Sequence, residues 1–176
     1  MRKPCLLVPT LCLATGLAVL IGCSSDRAGT LPGKKASSTL VVTGAVPEWT
    51  SVDVDPPGPS VGVREEFTAA LSIDGKPAGE LVGLLTVQTP GKSNGGSVVK
   101  EERTGTLTFQ LSAADSLIVN GTAKYQPKKK EMEVGDPQLR SVTGGTGAYE
   151  GAKGTASTVR NADGTYTHTF ELKLVS

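Results

Sequence analysis

Beyond Cys23 no stretch of this chain repeats its apolar residues at helical spacing; from Thr39 onward it breaks into short apolar or alternating runs divided by turn chemistry. The pattern predicts strands over Thr39–Val46, Gly62–Ile73, Gly79–Thr89, Val98–Leu111, Ser116–Tyr125, Gln138–Thr143, Gly151–Arg160 and Thr165–Val175. The separators have their own mechanisms: Asp74-Gly75-Lys76-Pro77 is a tight reversal, Ser93-Asn94-Gly95-Gly96 supplies positive φ, and Asn161-Ala162-Asp163-Gly164 closes a final hairpin. Antiparallel strands without helices must hide their edges, and eight suffice to close a small barrel. The fold class is therefore all-β, an eight-stranded antiparallel barrel over residues 39–176, with a sandwich as the alternative.

Upstream, Arg2 and Lys3 precede an uncharged run from Cys5 to Ile21 that ends in Leu20-Ile21-Gly22-Cys23. A basic start, an apolar stretch and a small residue before cysteine predict a bacterial lipoprotein signal peptide over residues 1–22, with Cys23 as the lipidated first residue. An ordinary signal peptide or a membrane anchor is the alternative, but Pro4 and Pro9 interrupt a run already marginal for the roughly 20 residues of a spanning helix. Residues 23–38 are small, polar and charged, the composition of a flexible tether. The expected location is the extracytoplasmic face of a bacterial membrane, with the membrane as partner through lipid on Cys23.

That processing accounts for all three cysteines, Cys5, Cys12 and Cys23. It excludes a disulfide scaffold, a cysteine nucleophile and a thiolate metal site. His168 is the single histidine, so a histidine-rich metal site is excluded, and a Ser/His/Asp triad would need His168 as its base. Eighteen basic against seventeen acidic side chains leave the chain near neutral, and nothing argues for nucleic acid. No metal or cofactor is expected. Lys128-Lys129-Lys130, offset by Glu131, Glu133 and Asp136, reads as a solvated loop, with contact to a membrane or an anionic partner as the alternative. Trp49, the sole tryptophan, is a candidate plug for one barrel end.

Ser141-Val142-Thr143-Gly144-Gly145-Thr146-Gly147-Ala148-Tyr149-Glu150-Gly151-Ala152-Lys153-Gly154 superficially suggests a dinucleotide loop. The next residues, Thr155 to Val159, are strand-like, whereas a dinucleotide fold needs a helix there. A strand ending in a Thr-Gly-Gly-Thr-Gly-aromatic turn, then Gly-Ala-Lys-Gly and a last hairpin, resembles the allene oxide cyclase and dirigent barrel families. Asp74 to Gly79 followed by Gly83, and the order Thr106 to Leu111 then Ser116 to Gly121, resemble earlier parts of the same pattern. The resemblance runs over roughly Thr39 to Ser176. It implies an eight-stranded barrel with an apolar central cavity that handles small or reactive organic molecules by shape and preorganisation. Relatives of this fold form dimers or trimers, so a homo-oligomer is also implied, although no long apolar stripe identifies an interface.

The chain departs from the plant cyclases at their cavity residues. Thr39–Val46 contains no carboxylate where the family has its glutamate, and Gly83 to Thr86 reads Gly-Leu-Leu-Thr where the family has a cysteine. The dirigent acidic and arginine positions have no match either. The leading expectation is binding of a small apolar molecule; the alternatives are a cyclase or isomerase using the same cavity, and a structural or protein-interaction scaffold.

Strand periodicity isolates two ionisable residues on apolar faces. Glu65 lies with Val63, Phe67, Ala69, Leu71 and Ile73, and His168 lies with Tyr166, Phe170, Leu172 and Leu174. Glu65 and His168 are the candidate catalytic pair, as acid and base or as anchors for a ligand, with Tyr166, Phe67 and Phe170 as candidate ligand contacts. The alternative places Glu65 at a solvent-reaching rim and makes His168 a core histidine bonded to a backbone carbonyl.

Overall fold

Alternation of buried and exposed side chains sets each strand. The computed structural model, which describes residues 37–52, 60–94, 96–127 and 129–173, contains eleven strands. They are β1 (Ser37–Gly44), β2 (Glu48–Val52), β3 (Arg64–Ile73), β4 (Lys76–Thr89), β5 (Lys92–Asn94), β6 (Ser97–Val99), β7 (Glu101–Gln110), β8 (Ser116–Tyr125), β9 (Gln138–Thr146), β10 (Lys153–Arg160) and β11 (Tyr166–Lys173). The expected signal, Cys23 and the tether as far as residue 36 lie outside the described residues. Ser37 and Ser38, expected in the tether, already belong to β1.

The main sheet runs β1-β11-β10-β9-β8-β7-β4-β3-β2, and β1 also meets β3 through Thr43↔Ser72 and Gly44↔Leu71. That second pairing closes an eight-stranded antiparallel barrel from β1, β3, β4 and β7 to β11, the predicted architecture. The closing edge of β3 is covered in two stages. Beyond Gly44, the Ala45 N–H donates to the Ala70 carbonyl; the chain then bends through Val46 and Pro47 and resumes along β3 as β2, from Glu48↔Thr68 to Val52↔Arg64. Pro47 hides β2 from the sequence pattern because it interrupts the alternation that would join it to β1. The expected strand Val98–Leu111 is likewise divided: Ser97–Val99 pairs with Lys92–Asn94 in a separate hairpin, and the barrel strand begins at Glu101.

Side chains at alternate positions fill the interior. Toward the end where β3 turns into β4 the filling is apolar: Leu71, Phe109, Leu117, Phe170 and Leu172 are buried, with the Phe109 and Phe170 rings edge to face at 4.9 Å. Asp74 and Gly75, at φ 51° and 72°, make the predicted reversal at this end. The glycine turn lies here too, because Thr146 at the end of β9 pairs with Ser116 at the start of β8. It forms one 3-10 turn, Gly147–Tyr149, held by the Asp115 carboxylate accepting from the Ala148 N–H and by the Thr146 hydroxyl donating to the Ala114 carbonyl. The opposite end carries the bend at residues 45–47, the turn at residues 161–164 and residues 129–137, and its interior is polar.

Gly83 shows how closely the wall is fitted near that second end. Its cross-strand partner is Phe67, and a Cβ at position 83 would lie 2.1 Å from a Phe67 ring carbon. The ring occupies the space that glycine leaves, and its other neighbour is the Trp49 ring, 4.6 Å away.

Candidate functional site

The period of two that fills one half of the barrel with hydrocarbon brings charge into the other half. Glu65 of β3, Glu101 and Arg103 of β7, Tyr125 of β8, Arg140 of β9, Thr158 of β10, and Tyr166 and His168 of β11 are all buried there. Buried charge is costly unless paired and hydrogen-bonded. Arg103 meets that demand: its Nη1 donates to Glu65 at 2.9 Å, its Nε to Glu101 at 2.5 Å and its Nη2 to the Lys129 carbonyl at 2.9 Å. Its guanidinium also lies 4.4 Å from the centre of the Tyr125 ring and 5.9 Å from that of Trp49.

Tyr125 connects this cluster to a second cation, since its hydroxyl accepts from Arg140 Nη2 at 3.0 Å. Glu65, Glu101, Arg103 and Arg140 thus sum to zero charge, yet both carboxylates are engaged by Arg103. Arg140 forms no ion pair among the described residues, and its buried Nε has no hydrogen-bond partner there. His168 is in a similar condition. Its Nδ1 lies 3.0 Å from the Thr158 hydroxyl, while its buried Nε2 is unpartnered. Burial, with the Arg140 charge as the lesser cause, pushes the imidazole down to about 3, so His168 is neutral at physiological pH. Burial also pushes the Tyr166 phenol up.

Arg140 and His168 face one cavity of about 20 Å³, also lined by Gly44, Phe67, Thr158 and Tyr166. That is the room of a single water site. Outside it lies a depression of about 490 Å³ lined by Lys129, Lys130, Glu131 and Arg160, and Pro47, Trp49 and Tyr166 border both spaces. Residues 129–137 cover this mouth and send Met132, 2% exposed, into the interior. They are fastened by Lys100 to Glu133 and Asp136, at 2.5 and 2.9 Å, by Arg160 to Glu131 at 2.9 Å, and by the Gly135 N–H donating to the Arg160 carbonyl. Among the described residues no group of three His, Cys, Asp or Glu side chains is placed to hold a metal ion.

The residues singled out from the sequence therefore separate. His168, Tyr166 and Phe67 line the cavity; Glu65 is buried beside it but bound to Arg103; Phe170 packs on Phe109 in the apolar half. Trp49 lies on β2 and packs against Phe67 at the mouth, the two rings tilted by 40°. Lys129, which the sequence places in a solvated loop, has an exposed side chain but lends its carbonyl to Arg103. Glu101, Arg103 and Arg140 are site residues that the sequence reading does not single out. The same test finds them, because Glu101 and Arg103 share a strand face with Leu107 and Phe109, and Arg140 shares one with Val142.

No family model matches the chain, and no curated protein does. Solved structures do. Pyocyanin demethylase is 24% identical with a TM-score of 0.55, over 78% of this chain and 100% of that one. A nonspecific heme-binding cyclase that catalyzes a cycloaddition during neoabyssomicin biosynthesis is 11% identical with a TM-score of 0.53, over 81% of this chain and 66% of that one. A pterocarpan synthase dirigent protein is 17% identical with a TM-score of 0.51, over 82% of this chain and 97% of that one. Likeness at these identities establishes architecture and leaves chemistry to the site. By its fold the chain is an eight-stranded antiparallel β-barrel similar to the barrels of these proteins.

Proposed function

We propose that this barrel takes up a small organic molecule at its polar end, and that lipid on Cys23 holds it at the extracytoplasmic face of a bacterial membrane. The observation that carries the binding role is the pairing of an interior cavity with an outer depression across one aromatic border, Trp49 and Tyr166. The neighbouring folds are consistent with it, since a demethylase, a cyclase and a dirigent protein all act on organic molecules. Binding is favoured over acid and base turnover because Glu65, the candidate partner of His168, is held by Arg103. β1 starts at Ser37 opposite Lys173, at the end of the barrel away from the mouth.

Trp49 is a built-in reporter. Titrating the full chain with the neutral fluorophore N-phenyl-1-naphthylamine should give saturable energy transfer from Trp49, reduced in Tyr166→Ala. Absence of saturable transfer in the native chain would overturn the binding role.

A further inference from the structure

We infer that the ligand of this site is an aromatic carboxylate, its acid group received in the inner cavity by Arg140 Nε and His168 Nε2 and its ring body held between Trp49 and Tyr166. The inference rests on the small-molecule reading above and adds the chemistry that the site selects. Three observations carry it independently of the fold.

The first is unmet hydrogen-bonding capacity. Arg140 and His168 are 5% and 2% exposed, each has a buried nitrogen without a partner among the described residues, and both line the same cavity. Leaving such groups unpaired is costly, and more so for a charged group. Arg140 Nε is always a donor. In the tautomer in which His168 Nδ1 accepts from the Thr158 hydroxyl, 3.0 Å away, Nε2 carries the ring hydrogen, and in that form both groups ask for an acceptor. A carboxylate oxygen supplies one, and a guanidinium is the side chain whose geometry best suits it.

The second is the space. Gly44 borders the cavity, and a Cβ there would come within 3.1 Å of His168 Nε2. Glycine keeps open the position where an acid oxygen would sit. The third is the charge at the mouth. The outer depression is lined by three cations, Lys129, Lys130 and Arg160, against one carboxylate, Glu131. Such a surface raises the local concentration of anions before they reach the interior. The aromatic border supplies flat apolar area for a ring.

The test is calorimetric titration of the full chain with 1-naphthoate and with 1-naphthamide, which share a ring system and differ in charge. Naphthoate should bind at least tenfold more tightly, and Arg140→Met should bring it down to the level of the amide. Because Arg140→Met disturbs a buried charge network, Gly44→Ala is the second variant: it keeps every charge and fills the acid position, and should abolish the naphthoate preference. Equal affinity for the two probes, or a preference that survives Gly44→Ala, would overturn the carboxylate assignment. If N-phenyl-1-naphthylamine still binds in that case, small-molecule binding stands without it; if none of the three probes binds, both readings fall.

Discussion

His168 and Arg140 illustrate how one barrel position differs from the next only in what its neighbours leave free. Periodicity suffices to place His168 among Tyr166, Phe170 and Leu172, and its burial follows from that. It cannot show that Glu65 meets Arg103, because the pairing joins β3 to β7 across β4, and such contacts have no signature in spacing along one strand. The burial of His168 makes a prediction. Its native pKa of about 3 lies below the 6.5 of an unfolded histidine, so between those values the unfolded chain binds a proton that the native chain does not. This contribution is intact above pH 6.5 and is lost as the pH falls toward 3. It amounts to about 2 kcal/mol between pH 7 and pH 5. As the single histidine it gives unambiguous imidazole resonances, which should remain those of the neutral ring at pH 5. A ring that titrates near 6.5 would show that it is not shielded as described. Urea unfolding at pH 7 and 5 should show a smaller pH dependence in His168→Gln than in the native chain.

At the scale of elements, the glycine turn after β9 is both the most recognisable stretch of the sequence and the one farthest from the chemistry. It sits at the end where β8 starts, while the cavity lies where β8 finishes at Tyr125. That is why the stretch from Thr143 to Gly154 makes the barrel legible and says nothing of the ligand. Its glycines are not equivalent. Gly147 has φ 59°, and a Cβ there would fall 2.2 Å from the Asp115 carboxylate and 2.8 Å from the Ala114 carbonyl oxygen. Gly144 has no atom within 4 Å of its would-be Cβ and no left-handed φ. Gly147→Ala should therefore cost at least about 1–2 kcal/mol from the left-handed backbone alone, with the clash in addition. Gly144→Ala should leave the denaturation midpoint unchanged. Equal effects at the two positions would show that the turn is held differently. β2 is the opposite case, an element whose sequence signal is weak although it frames the mouth. Five residues after a proline give little periodicity, and only the edge of β3 left open beyond Gly44 explains why they become a strand.

For the whole molecule the decisive property is closure. An open sheet of these strands would present a free edge; here β1 and β2 in turn cover β3, so the wall has no long unpaired strand among the described residues. The two halves of the interior then do different work. The apolar half, with Phe109, Phe170, Leu117 and Leu172 fully enclosed, supplies the burial that stabilises the fold, and the polar half spends stability on charges that must be held in place. Eight strands and their turns are legible in the sequence because alternation and glycine chemistry are local. The pairing of cavity residues is not, because it depends on which strands become neighbours around the barrel. Among the described residues the buried cluster runs from Val42 to Leu172, all of it within the barrel. A chain beginning at Ser37 should unfold at the same temperature and with the same cooperativity as the full chain. It should also leave the membrane fraction for the soluble one, as should the full-length Cys23→Ser variant if lipid on that residue is the anchor. A lower unfolding temperature would mean that the N-terminal segment contributes to the barrel. Membrane retention of the shortened chain would place the attachment in the barrel itself.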